Sequence, residues 1–208
     1  MKVKTITTAI PESSDSDILI LADKRRTVKY KKELSGENTE LKNLAKLSEK
    51  FSCTLVCPFD TDNYGIFRHS AGVFEKGKLL GISDMTIAYE DSPYMPGVNA
   101  GIYEVESGKI AIAVGDDFYS YELLRSYAVC GVKTVIAVKK GNLAEMDRIV
   151  LRAYSYLLGI PVILISGERV VATDFKGNVV KDAYGDSEFE IEPIGEYYLK
   201  ISRTRFSK

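Results

Sequence analysis

The chain has 208 residues, 45% of them hydrophobic, which is enough for one substantial core and too little for two. Lys and Arg total 28 against 29 Asp and Glu, a formal net charge of -1, so the basic excess that a nucleic-acid surface needs is missing. The three cysteines, Cys53, Cys57 and Cys130, are too few for a disulfide framework and fit a reducing compartment. Cys53 and Cys57 lack the two-residue spacing of a zinc knuckle, and no second cysteine pair or histidine partner follows at such spacing. The basic run Lys24-Arg25-Arg26 is followed at once by Glu33, Glu37 and Glu40 and reads as a solvated loop. Met1 to Ile6 lacks the apolar core of a signal peptide, and no apolar run is long enough to span a membrane. The expectation is a cytoplasmic protein with neither a nucleic-acid nor a membrane partner.

Strand and helix patterns alternate along the chain. Ile18 to Leu21 is an apolar run between Asp17 and Asp23, a buried strand. Leu41, Leu44, Leu47 and Phe51 mark a helix, with Asn38 or Thr39 as its N-cap. Cys53 to Cys57 reads as a buried strand ending at Pro58. Ser70 to Phe74 and Leu79 to Ile82 flank Glu75-Lys76-Gly77-Lys78, a hairpin signal, and Gly101 to Glu106 with Ile110 to Val114 flank a second reversal at Ser107-Gly108. Glu90 to Asn99, with two prolines and a glycine, is a surface loop of the kind that borders sites. A helix from Tyr121 to Cys130 ends at Gly131, and a strand from Thr134 to Val138 follows. The next helix, Leu143 to Leu158, carries Leu143, Met146, Val150, Ala153 and Leu157 on its expected core face and stops at Gly159. Val162 to Ile165, a hairpin around Phe175-Lys176-Gly177-Asn178 and a last strand from Tyr197 to Phe206 complete the pattern, which is that of an α/β domain.

Five segments in this order carry a resemblance. They are Ile18 to Asp23, Ser70 to Gly81, Gly108 to Asp117 with Glu122-Leu123 after it, Ala128 to Ile136, and Arg152-Ala153. Together they resemble the carbon–nitrogen hydrolase (nitrilase) superfamily. There, an early strand ends in a catalytic glutamate, a hairpin leads to a catalytic lysine, and a Gly-Lys-Ile strand ends in the nucleophilic cysteine. The resemblance runs from about Ile18 to the C-terminus and implies a four-layer α-β-β-α sandwich with shortened loops, a homodimer, and no cofactor.

That family's chemistry needs a thiolate to attack an amide or nitrile carbon, a carboxylate as general base, and a cation to stabilise the developing negative charge. Carried over residue by residue, the glutamate position falls on Asp23, the lysine on Met85 and the cysteine on Gly115. Gly115 has no side chain, Met85 has neither charge nor donor, and Asp23 is one methylene short. The resemblance therefore implies a relative without the catalytic set, binding a small molecule or a partner through the old pocket. The alternative is an amide hydrolase in which Asp23 and Asp116 activate water. Asp117 matches the family's own aspartate and reads as a structural cap, whereas Asp116 replaces an aromatic and with Asp23 forms a candidate carboxylate pair. A solvated loop is the simpler reading of Asp116, and no metal site is assigned. Glu122 and the sole histidine, His69, are the remaining pocket candidates; His69, at a strand start, has no partners at triad spacing.

Overall fold

Side chains along the strands alternate between separate apolar layers, and that alternation builds the molecule. In β8 (Gly108–Val114), Ile110, Ile112 and Val114 enter one core, while Ala111 and Ala113 enter another on the opposite face. In β2 (Ile18–Leu21), Ile18 and Ile20 join the first of these cores and Leu19 and Leu21 a third. The shared core is the space between two sheets packed face to face; the other two lie under helices. The computed structural model describes residues 1–22, 26–99 and 101–192.

The first sheet has the order β13-β1-β2-β4-β5-β6, formed by Ser187–Glu190, Lys2–Ile6, β2, Thr54–Asn63, Ile66–Glu75 and Lys78–Asp84. The short β3 (Thr27–Lys29) pairs with the far end of β4. The second sheet has the order β12-β11-β10-β9-β8-β7, formed by Val179–Tyr184, Arg169–Thr173, Val162–Ser166, Thr134–Lys139, β8 and Ile102–Val105. After α1 (Tyr30–Ser35), α2 (Glu40–Lys50) covers the first sheet with Leu44 and Ala45; α3 (Tyr121–Val129) and α4 (Glu145–Leu158) cover the second with Leu124, Tyr127, Leu151 and Leu158. The result is the four-layer α-β-β-α sandwich expected from the resemblance.

All three expected hairpins form. The β5–β6 turn places Lys76 and Gly77 at φ 51° and 75°, left-handed values that suit a tight two-residue reversal. Two expectations need correction. Pro58 does not end its strand: β4 pairs with β2 as far as Val56 and with β3 from Asp60, so Pro58 falls between these two neighbours, where the hydrogen it lacks is not demanded. The buried stripe of α4 is Asp147, Leu151, Ser155 and Leu158, whereas Met146 and Ala153 are exposed. Two polar side chains sit in that stripe because the fold supplies partners for them, which a hydrophobic pattern cannot reveal. Lys2–Ile6, to which the sequence analysis assigns no element, is a strand between β2 and β13. The strand expected from Tyr197 to Phe206 lies outside the described residues.

Candidate functional site

Gly115 stands at the end of β8, where the chain leaves the sheet into a 3-10 turn, Gly115–Tyr119, at a φ of +60°. A Cβ built there would lie 2.5 Å from the Met85 sulfur and 3.5 Å from Cδ2 of His69. Met85 follows β6 and is 3% exposed. Its backbone is tied on both sides, its N–H donating to the His69 carbonyl and its carbonyl accepting from Gly97 N–H, each at 2.8 Å. The residues after it are fixed as well. Asp117, buried in the 3-10 turn, accepts from the Thr86 N–H and hydroxyl, both at 2.9 Å, and from the Ile87 N–H at 2.8 Å. Burial pushes the Asp117 carboxyl above its usual pKa, and these donors only partly offset that. Met85 and Gly115 thus converge, with the thioether where a residue-115 side chain would be. Asp23 lies outside the described residues; its neighbour Ala22 is buried in the same core as Met85.

His69 links this point to a polar knot. Its ring is 3% exposed, and Nδ1 faces Asp60 Oδ1 at 3.3 Å. A carboxylate only accepts, so Nδ1 carries the hydrogen. Nε2, beside the carbon that faces Gly115, is buried without a hydrogen-bond partner. Asp60 also takes the Lys140 ammonium at 2.6 and 2.7 Å and the Tyr94 hydroxyl at 3.0 Å, and Lys140 donates to that hydroxyl at 2.6 Å. The ammonium stands 4.6 Å from the centre of the Tyr94 ring. Burial works to raise the Asp60 pKa, but hydrogen bonds from His69 and Lys140, the Lys140 charge and Tyr94 outweigh it and hold the carboxyl below its ordinary value. For Lys140 burial disfavours the charge, yet Asp60 and Tyr94 prevail and the pKa rises. The pair is therefore ionised, and this lysine is no neutral nucleophile.

Above the knot opens a cleft of about 610 Å³, lined by Thr27, Asp60, Tyr94, Lys140 and Asn142, with Gly141 and Gly167 in the turns at its wall. The sequence reading missed Asp60, Tyr94 and Lys140. The available signals were Lys140 just beyond the buried β9, at the carboxyl end of a parallel strand where α/β folds place ligands, and Tyr94 in the proline-containing loop. The remaining candidates do not join this group. Asp116 is half-buried with no hydrogen bond to the knot, Asp117 serves the Thr86 backbone, and Glu122 is exposed in the first turn of α3. Among the described residues no group of three or more His, Cys, Asp or Glu is placed to hold a metal ion. Burial lifts the Cys53 thiol to about 11, Cys57 is buried beside Arg26, and Cys130 is exposed after α3.

No protein-family model and no curated protein sequence matches this chain. Solved structures do. A carbon–nitrogen hydrolase from Helicobacter pylori aligns with a TM-score of 0.73 at 16% identity, covering 92% of this chain and 89% of its own. Saccharomyces cerevisiae Nit3, described as a member of branch 10 of the nitrilase superfamily, aligns at 0.72 and 16% identity, over 99% of this chain and 94% of its own. A cysteine-to-alanine mutant of the amidase from Nesterenkonia sp. AN1, in complex with butyramide, aligns at 0.69 and 14% identity, over 90% and 88%. The protein has the fold of the carbon–nitrogen hydrolase (nitrilase) superfamily.

Proposed function

We propose that this protein is a non-catalytic member of that fold, which binds a small molecule or a partner through what remains of the pocket and assembles as a homodimer. The observation that carries the reading is the Met85 sulfur 2.5 Å from the place of a Cβ on Gly115. A covalent route needs a nucleophile at that strand end and a positive group beside the oxygen that gains charge. A glycine offers no nucleophile, and a thioether offers neither donor nor charge. The cysteines offer no substitute: Cys53 is held protonated by burial, Cys57 is sealed in the first sheet, and Cys130 is on the outer side, past α3. Further support comes from Lys140, whose charge is already paired with Asp60. The dimer rests on the exposed apolar residues of α4, among them Met146, Ile149 and Tyr156.

The test is to incubate the full chain with butyramide, assay ammonia, and examine the intact mass. Neither ammonia nor an acyl adduct is expected, with or without added divalent metal. Turnover that Asp116→Asn or Asp23→Asn abolishes would make the protein a hydrolase with displaced chemistry and overturn the reading.

A further inference from the structure

The fold leaves one buried polar atom beside Gly115 without a partner. His69 Nδ1 donates to Asp60, so the neutral ring presents a lone pair at Nε2. That nitrogen is enclosed and meets no hydrogen-bond donor. A buried acceptor left unpaired costs about 1–3 kcal/mol. The ring carbon bonded to it, Cδ2, lies 3.5 Å from the Cβ position of residue 115, and the Met85 sulfur lies 2.5 Å from the same point. The imidazole edge and the thioether therefore border one spot, where β8 ends.

The donor set selects what can sit there. A water molecule needs two to four polar partners, and a thioether and a bare glycine offer it little besides Nε2. Magnesium and calcium take oxygen ligands, and a structural zinc takes four ligands. Copper(I) accepts soft thioether sulfur together with imidazole nitrogen, and two ligands in line satisfy it. The shell behind the ring fits as well. A metal-ligating histidine donates its other ring N–H to a carboxylate, which fixes the tautomer and raises the basicity of the free nitrogen. Asp60 does this for His69 and is itself held by Lys140 at 2.6 and 2.7 Å. Charge favours a monovalent ion. Asp60 and Lys140 balance each other, whereas the buried carboxylate of Asp117, in the turn that starts at Gly115, accepts from neutral groups of Thr86 and Ile87. A single positive charge nearby would offset it.

We infer that His69 Nε2 and Met85 Sδ form a two-ligand site for copper(I). The ion enters from the cleft past Tyr94, whose ring centre stands 5.8 Å from that of His69. The unbranched, polarisable side chain of Met85 turns to admit it and brings the sulfur opposite the nitrogen. Such a site is independent of the small-molecule or partner role proposed for the pocket, and its absence would leave the non-catalytic reading as it stands.

The test is an anaerobic titration with copper(I) in competition with bathocuproine disulfonate. The reference is the full chain carrying Cys130→Ser, so that the exposed thiol takes no metal. It should hold one equivalent of copper(I) and no zinc(II). In that background Met85→Leu conserves the core volume and should weaken copper(I) by about tenfold or more, since loss of an outer-shell partner alone costs about 10–100-fold. His69→Asn should abolish binding. Copper(I) should also raise the melting temperature of the reference chain and leave that of the Met85→Leu chain unmoved. X-ray absorption at the copper edge of the loaded reference chain should show one sulfur and one nitrogen, a readout that stands even if a variant fails to fold. The inference is overturned if the reference chain yields all its copper to the competitor, if Met85→Leu holds copper(I) as tightly, if zinc(II) binds as well, or if the absorption spectrum shows sulfur alone.

Discussion

Gly115 is constrained twice over, by a left-handed backbone at φ +60° and by the Met85 sulfur 2.5 Å from where a Cβ would stand. Gly115→Ala should therefore cost about 1–3 kcal/mol through backbone strain and overpacking. Met85→Ala should cost about 2–5 kcal/mol as a buried cavity. Combined, the changes should cost less than their sum, because the smaller side chain relieves the clash; urea unfolding of the four proteins measures this coupling, and strict additivity would refute the contact. Asp60 and Lys140 make a second prediction, with its sign set by their shifts. The Asp60 pKa is lowered in the folded state, so its stabilisation is present above the unfolded value of about 3.9 and is lost as pH falls through the folded one. The Lys140 pKa is raised, so its stabilisation is present below about 10.4 and is lost as pH rises through the folded value. Stability from the pair should be level between these limits and fall at both ends. In the paired Asp60→Asn, Lys140→Met protein, unfolding free energies measured across pH should lose this contribution at each end.

At the scale of elements, the carboxyl end of β9 is where layers are joined. Lys139 and Lys140 point to opposite faces of the strand, and each meets an aspartate and a tyrosine. Lys140 reaches across to Asp60 of the other sheet. Lys139 lies 3.1 Å from both oxygens of Asp147, with Tyr119 bonded to both partners and its ring centre 4.8 Å from the ammonium. Asp147 also accepts from the Ala144 N–H at 2.8 Å, closing the first turn of α4. One buried carboxylate thus serves the helix start and the outer face of the sheet together. Asp147→Ala should destabilise by about 2–4 kcal/mol, since it removes a cap and strands a partly buried ammonium, whereas Tyr119→Phe should cost only about 1 kcal/mol. Thermal and urea unfolding rank the two, and an equal cost would mean that the capping bond contributes nothing.

For the whole molecule, the outer face of α4 carries Met146 at 61%, Ile149 at 54% and Tyr156 at 49% exposure. Apolar side chains of that size on one helix face form a surface that a second copy could cover. The proposed homodimer should be seen by light scattering as twice the chain mass, and Ile149→Glu should shift it toward monomer while leaving the melting profile of the subunit intact. A native chain that stays monomeric at all concentrations would refute it.

Most of the architecture was legible in the sequence because it rests on local pattern. Apolar runs such as Ile18 to Leu21 and Val162 to Ile165, the glycines after α3 and α4, and the Lys76-Gly77 reversal each fix an element with only a few neighbours involved. The order of short motifs then singled out Met85 and Gly115, which the structure brings into contact. What tertiary structure alone decided was which distant groups meet. Asp60, Tyr94 and Lys140 come from a strand, a loop and a strand end 80 positions apart at the extremes, and no periodicity joins them. The inward turn of Asp147 and Ser155 on α4 was hidden for the same reason. A buried polar residue is tolerated only where a partner such as Lys139 or Thr173 waits, and that partner is chosen by packing between layers, not by spacing along the chain.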